Sequence, residues 1–358
     1  MPKRNSTEWS LDLYILIALL VFGFLILIHE FGHYLTARIF GVKIHEFAIG
    51  MGPKLVWYQS KKNDIVYSLR LFPIGGYVSM LGENEEAEGE DSDRSLANKP
   101  AWQRLIVNAA GAAMNLLFGF ILLAVLTTQM RLGTTTVASF REPENGVVSS
   151  ADSGLAVGDT ILRVNGKKVH ISDQLLYRIM HDGTEPVELL VRRGDQELTL
   201  TVTFPTIAES GQLFGDADFT VYAEADHGLA TTAKHAFHKS VYVVSMIWES
   251  LFDLLTGRYT VEAVTGPVGT TAVISDMAKT GGAFAVFYLM VVISINLGIF
   301  NLLPLPALDG GHILLILIEM VTRRKVPPKV AGLIDFVGLF LLLLLMVAVT
   351  FKDIFALF

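Results

Sequence analysis

Two histidines four residues apart bracket a glutamate in the stretch His29-Glu-Phe-Gly-His33. On a helix, residues i and i+4 share a face, so both imidazoles point the same way and can grip one metal ion. Glu30 lies beside them and can take a proton from a water that the metal activates. Two histidines leave a catalytic metal one protein ligand short. Asp309, in Asn301-Leu-Leu-Pro-Leu-Pro-Ala-Leu-Asp-Gly-Gly311, is the candidate third ligand. Its alternative role is to cap a helix expected over His312 to Val321. Cysteine is absent, so any metal must be held by histidine and carboxylate, a donor set that suits Zn2+.

The elements that carry these residues are apolar. Leu13 to Ile28 holds no charge, and His29-Glu-Phe-Gly-His33 closes that run. Of the 358 residues 52% are hydrophobic and only 18% charged, the balance of a multi-span membrane protein with a soluble insert. Membrane helices are expected over Leu11 to Arg38, Leu105 to Thr128, Ala283 to Leu303 and Gly332 to Phe351. The first is read as an uncleaved span, because no small-residue cleavage site follows its apolar run. Ionisable groups at membrane depth are costly and point to function. A net charge of −7 gives no support for nucleic-acid binding.

Between the first two spans, alternation in Asp64 to Leu71 and a shorter run in Lys54 to Gln59 predict a β-hairpin within residues 44–82. It is either an ordinary hairpin or an edge on which extended substrate pairs. Phe72-Pro-Ile-Gly-Gly-Tyr77 reads as a returning turn, with Gly75 and Gly76 as substrate-binding candidates. Glu83 to Asp93 is an acidic, solvated loop. Asn115, in the second span, makes either an interhelical hydrogen bond or a contact in the site.

Residues 134–206 turn soluble. Gly146-Val-Val-Ser-Ser150, then Gly154 to Gly166 with its Gly-Asp-Thr-Ile-Leu-Arg-Val-Asn-Gly ending, precede a helix over Asp173 to His181. Strands over Val187 to Arg192 and Glu197 to Phe204 follow. The pattern resembles a PDZ domain, which binds extended peptide by strand addition or serves as a rigid cap. Residues 227–258 are expected to form an amphipathic helix suited to a membrane surface, with His235 and His238 as surface or interfacial residues. Thr265 to Gly269 reads as a turn. Lys and Arg crowd the segment between spans one and two and that between spans three and four, which predicts both are cytoplasmic. His29, His33 and Asp309 then share the cytoplasmic side, and the soluble insert and both termini lie outside.

These motifs together resemble the site-2 protease family of intramembrane zinc metalloproteases, in its bacterial RseP-like branch. The resemblance covers nearly the whole chain. It implies a polytopic α-helical membrane protein with four transmembrane helices: two in residues 1–130 and two in residues 280–358. A membrane-associated β-hairpin and an inserted extracytoplasmic PDZ-like α+β domain complete that fold. It implies Zn2+ on His29, His33 and Asp309, Glu30 as the catalytic carboxylate, and substrate contacts from Asn296, Asn301 and Asn115. It also implies a multi-pass protein of the bacterial inner (cytoplasmic) membrane. Its partners are the lipid bilayer and single-span membrane proteins already trimmed by another protease, among them anti-sigma factors and signal-peptide remnants. One PDZ-like domain stands here where the best-known member has two. The competing reading is a non-enzymatic scaffold or metal carrier, which predicts further acids or histidines along spans two and three; neither span has any.

Overall fold

Apolar runs long enough to cross a bilayer fold as helices, because only there are all backbone polar groups paired within one segment. In the computed structural model, residues 6–83, 92–142, 149–209, 212–225, 228–257 and 266–355 are described. The acidic stretch 84–91, the Gly146 turn and Thr265 lie outside them. The elements run in order α1 (Ser6–Ile39), β1 (Ile44–Gln59), β2 (Val66–Met80), α2 (Ala101–Thr127), β3 (Gly133–Phe140), β4 (Thr160–Val164), β5 (Lys167–Lys168) and α3 (Ser172–Asp182). Then come β6 (Val187–Arg193), β7 (Gln196–Val202), β8 (Thr206–Glu209), β9 (Gln212–Gly215), β10 (Phe219–Ala223), α4 (Leu229–Thr256), α5 (Pro267–Leu302), α6 (Asp309–Thr322) and α7 (Pro328–Phe355). Two compact units result, residues 1–122 with 247–358, and residues 123–246.

Among the described residues of the first unit, four helical segments are long and apolar enough to cross a membrane: Leu16–Ile39, Ala101–Thr127, Gly282–Leu302 and Lys329–Phe355. Small residues let these helices meet closely. A Cβ on Gly32 of α1 would lie 2.2 Å from the Ala110 carbonyl oxygen of α2. One on Gly298 of α5 would lie 3.0 Å from the Ala112 oxygen. At α6, 14 residues are too few to span. The expected Thr265–Gly269 turn is replaced by a helix start at Pro267, a position proline favours because it has no N–H to lose. The helical run then breaks at Gly282 (φ 60°, ψ −153°) before the membrane segment begins.

The hairpin is larger than its alternation suggests. β1 and β2 pair along their whole lengths, and Ile49 of β1 faces both Leu69 and Gly76 of β2. Residues 46–49 therefore lie between residues 66–69 and 76–79, and residues 54–59 add a fourth row against 66–70. Phe72–Tyr77 is extended strand, not a free turn: Gly75 takes a left-handed φ of 75°, and Gly76 abuts the Ala48 carbonyl so closely that a Cβ would lie 2.6 Å from it. The bulged register absorbs the bend. At the centre, Glu46 is paired with Arg70 at 2.9 Å and Lys54 at 3.1 Å.

The second unit is an antiparallel sheet, β10-β3-β4-β6-β7, with β5 on β4 and a separate β8–β9 hairpin. Val187, Leu189 and Val191 alternate inward and are fully buried, with Leu175 and Ile179 of α3 in the same core. Asn165 and Gly166, both at positive φ, make the tight turn between β4 and β5. The sheet continues beyond residue 206, because β10 pairs β3.

Asp159, before β4, is wholly buried and accepts from Arg193 Nε at 2.7 Å, Arg193 Nη2 at 2.8 Å and the Ala156 N–H at 2.9 Å. Burial alone would raise its carboxyl; the Arg193 guanidinium and the Ala156 amide outweigh that and hold it below the ordinary carboxylate range. Its contribution to stability is therefore complete above the unfolded value of about 4 and is lost as pH falls through the native value. Asp159→Ala is expected to destabilise this unit by about 2–3 kcal/mol at neutral pH. Hydrogen exchange of β4 and β6 in the full-length protein measures it; unchanged protection would show that the pair contributes nothing.

Candidate active site

α1 places His29 and His33 one turn apart on the face packed against α2. Both are 8% exposed. Their Nε2 atoms stand 3.2 Å apart. Asp309 Oδ2 lies 3.1 Å from His29 Nε2 and 3.4 Å from His33 Nε2. Three ligand-type atoms thus form a nearly equilateral triangle from two distant parts of the chain, and these residues could hold a metal ion. A tetrahedral zinc with ligands at about 2.0–2.1 Å has neighbouring ligands about 3.3–3.4 Å apart, close to the three edges seen. Among the described residues, buried Asp309 Oδ2 has no neighbour of hydrogen-bonding type beyond the two imidazole nitrogens it faces, so its lone pairs are left for an electrophile.

The proton positions fit the same purpose. His33 Nδ1 donates to the Val107 carbonyl of α2 at 2.8 Å. With the hydrogen on Nδ1, Nε2 presents its lone pair to the triangle, as a metal-ligating imidazole requires. Gly111 of α2 backs the two rings; a Cβ there would lie 2.3 Å from His33 Nε2 and 2.8 Å from His29 Nε2. Glu30 is partly buried, and its Oε2 accepts the Val78 N–H of β2 at 3.2 Å. This places the edge row of the hairpin, residues 76–80, directly beside the glutamate.

Asp309 is delivered by a constrained turn. It is the first residue of α6, with Leu308 at the N-cap and no capping bond from a side chain, so the capping alternative is not what the geometry shows. A Cβ on Gly310 would lie 2.0 Å from the Leu303 carbonyl oxygen, which is why glycine follows the aspartate. α7 holds the turn from outside. Asp335 accepts the Ala307 N–H at 3.3 Å, and a Cβ on Gly338 would lie 2.2 Å from Pro306 Cβ. Ala307 itself sits at φ 64°, a conformation that needs such support.

Of the other sequence candidates, Asn115 is fully buried with its amide beside His29, Nδ2 to Nδ1 3.4 Å. Asn296 of α5 has a buried Oδ1 without a partner among the described residues. Asn301 is partly buried in the last turn of α5. Gly75 packs on Ile26 and Gly76 on the Ala48 carbonyl, so packing explains both. Val107, Gly111, Asp335 and Gly338 were not among the sequence candidates. Gly111 could have been found from the small-residue run at 109–113; a backbone carbonyl such as that of Val107 carries no sequence signal. A cavity of about 370 Å³ next to α6 is lined by Glu83, Arg104, Asn108, His312, Glu319 and Asp335 among others.

Comparison with known proteins places the whole chain in a family. The family model described as Peptidase family M50 matches residues 17–345. A protein of Clostridium perfringens named as a zinc metalloprotease is 37% identical over 342 residues, which cover 96% of this chain and 98% of that one. A Campylobacter jejuni protein named in the same way is 32% identical over 354 residues, 95% of this chain and 92% of its own. The Bacillus subtilis regulator of sigma-W protease RasP is 28% identical over 419 aligned positions, 95% of this chain and 98% of its own. The chain belongs to peptidase family M50, the site-2 protease family, and is a multi-pass membrane zinc metalloprotease.

Proposed function

We propose that His29, His33 and Asp309 hold the zinc and that Glu30 is the general base for hydrolysis of a peptide bond inside the membrane. The observation that carries this is the triangle of His29, His33 and Asp309 donor atoms with the Glu30 carboxylate beside it, all on apolar helices or their connecting turn. The zinc, when bound, polarises the scissile carbonyl and makes water a nucleophile near neutral pH. Glu30 takes the proton from the attacking water. As the C–N bond breaks, Glu30 returns that proton to the leaving nitrogen. The Val78 N–H, bonded to Oε2, fixes the carboxylate for both transfers.

A helical substrate hides its amides in i to i−4 bonds and must unwind to be cut. Among the described residues no strand pairs the outer edge of residues 76–80, so an extended segment can add there, alongside Glu30. Gly75 lets that row pack on Ile26 of α1 and Gly76 lets it close on Ala48 of β1, while Asn296, through an Oδ1 without a partner among the described residues, and Asn301 receive amides released by unwinding. The substrates are single-span membrane proteins, anti-sigma factors and signal-peptide remnants among them, already trimmed outside by another protease. The name of the RasP relative, a protease that regulates sigma-W, supports the anti-sigma-factor part of that reading.

The unit of residues 123–246 is PDZ-like and lies outside the cytoplasm. It turns away substrates that still carry a folded outer domain. The catalytic groups lie near the cytoplasmic face, as the Lys and Arg distribution favours, and α4 lies along the bilayer surface with Val241, Val244, Trp248 and Phe252 exposed on one stripe. The purified protein in lipid nanodiscs is expected to cut a labelled single-span peptide, to stop when a zinc chelator is added and to resume when zinc is restored. The same span carrying a folded outer domain should be cut far more slowly. Chelator-resistant cleavage would overturn the metal reading, and equal rates on both substrates would overturn the exclusion role.

A further inference from the structure

The two histidines are supported differently. His33 has a backbone acceptor for Nδ1, the Val107 oxygen. His29 has its Nδ1 facing the side-chain amide of Asn115, with Nδ2 at 3.4 Å. If His29 gives Nε2 to a metal, its hydrogen sits on Nδ1 and must find an acceptor. The NH2 group facing it is a donor, while Asn115 Oδ1 is buried with no partner among the described residues. Oxygen and nitrogen of an amide exchange places by half a turn about the last side-chain bond, and the surrounding chemistry decides between them. Either orientation leaves one polar atom of this amide without a protein partner. The hydrogen on His29 Nδ1 selects the one with Oδ1 towards the ring.

We infer that Asn115 is a positioning residue, whose Oδ1 accepts the His29 Nδ1–H and aims Nε2 at the zinc. This rests on the reading of His29 as a ligand. It assigns to Asn115 a role other than substrate contact. The residue is well placed to hold a ring still. Its side chain is fully buried, and its backbone oxygen accepts the Ser294 hydroxyl of α5 at 2.8 Å, with Ser294 also fully buried. α5 leads directly into the turn that delivers Asp309. One residue of α2 is therefore tied both to the helix that carries the first ligand and to the helix that leads to the third. An uncompensated amide in an apolar span would be costly, which is a reason for it to have a partner of this kind.

The test compares Asn115→Leu, which keeps the volume and removes the acceptor, with Asn115→Asp, which keeps the acceptor and removes the donor. Full-length protein in nanodiscs is titrated with zinc against a chromophoric chelator, and the cobalt-substituted forms are compared by their visible spectra. Asn115→Leu is expected to bind zinc about 10–100-fold more weakly with an altered cobalt spectrum. Asn115→Asp should bind at least as tightly as the native protein. Native affinity and an unchanged spectrum in Asn115→Leu, with only KM raised, would overturn the inference in favour of a substrate contact. If Asn115→Leu does not fold, Asn115→Asp decides alone: weaker binding there would show that the amide acts as a donor. Tight zinc in the wild type and in Asn115→Leu alike would sink this inference and leave the ligand assignment standing. No zinc in the wild type would sink both.

Discussion

Glu30→Gln is expected to reduce cleavage by about 10²- to 10⁴-fold while zinc stays at one per chain. Glutamine has nearly the volume of glutamate and still offers an oxygen to the Val78 N–H, so the hairpin should keep its place beside α1. It cannot accept the proton of an attacking water at neutral pH. Glu30 is not a corner of the His29–His33–Asp309 triangle, and removing its charge leaves the donor set whole. Single-turnover cleavage of a labelled span, with zinc per chain measured on the same preparation, checks both halves. Undiminished cleavage would remove Glu30 from the chemistry. Loss of zinc would make it a ligand instead.

Asp309→Ala is expected to lose both zinc and activity. Two imidazoles from one helix turn remain, and neither alone completes a catalytic site. The turn itself makes this loss a report on metal binding and not on unfolding. Asp309 caps nothing: Leu308 holds the N-cap position and no side chain bonds the free amides there. The shape of the turn is held by Asp335 on the Ala307 amide and by Pro306 against Gly338, none of which the substitution touches. Loss of an acid from the first turn of α6 costs about 0.3–1 kcal/mol. The variant should therefore run as a folded protein with nearly native hydrogen exchange in α6 and background zinc. Stoichiometric zinc in the folded variant would exclude Asp309 as a ligand.

Much of this site could be read from the sequence because its key constraints are local or compositional. The i, i+4 histidines declare their shared face, and the apolar run before them declares depth. Asp309 pairs with them by depth: the metal reading asks for a third donor, and the Lys and Arg pattern puts the Asp309 turn and the end of the first span on one side. The Asn165-Gly166 turn of the second unit is equally local. The other parts depend on contacts between distant residues. Phe72–Tyr77 has the composition of a turn, yet residues 46–49 of β1 offer it a partner, and pairing overrides propensity. The Val107 carbonyl that sets the His33 hydrogen belongs to the backbone and could be any residue type. Asp335 and Gly338 lie in a helix whose sequence reads only as lipid-facing, and their role appears once α7 is laid against the Pro306 turn. Asn115 was visible as a polar residue in an apolar span, but its partner was not.

The ligand set is tested most directly by zinc K-edge X-ray absorption on the purified, zinc-loaded protein. A first shell of nitrogen and oxygen alone at about 2.0–2.1 Å is expected, with the outer-shell scattering of two imidazoles. A first shell without two imidazoles, or one that is the same in the wild type and in Asp309→Ala, would contradict it.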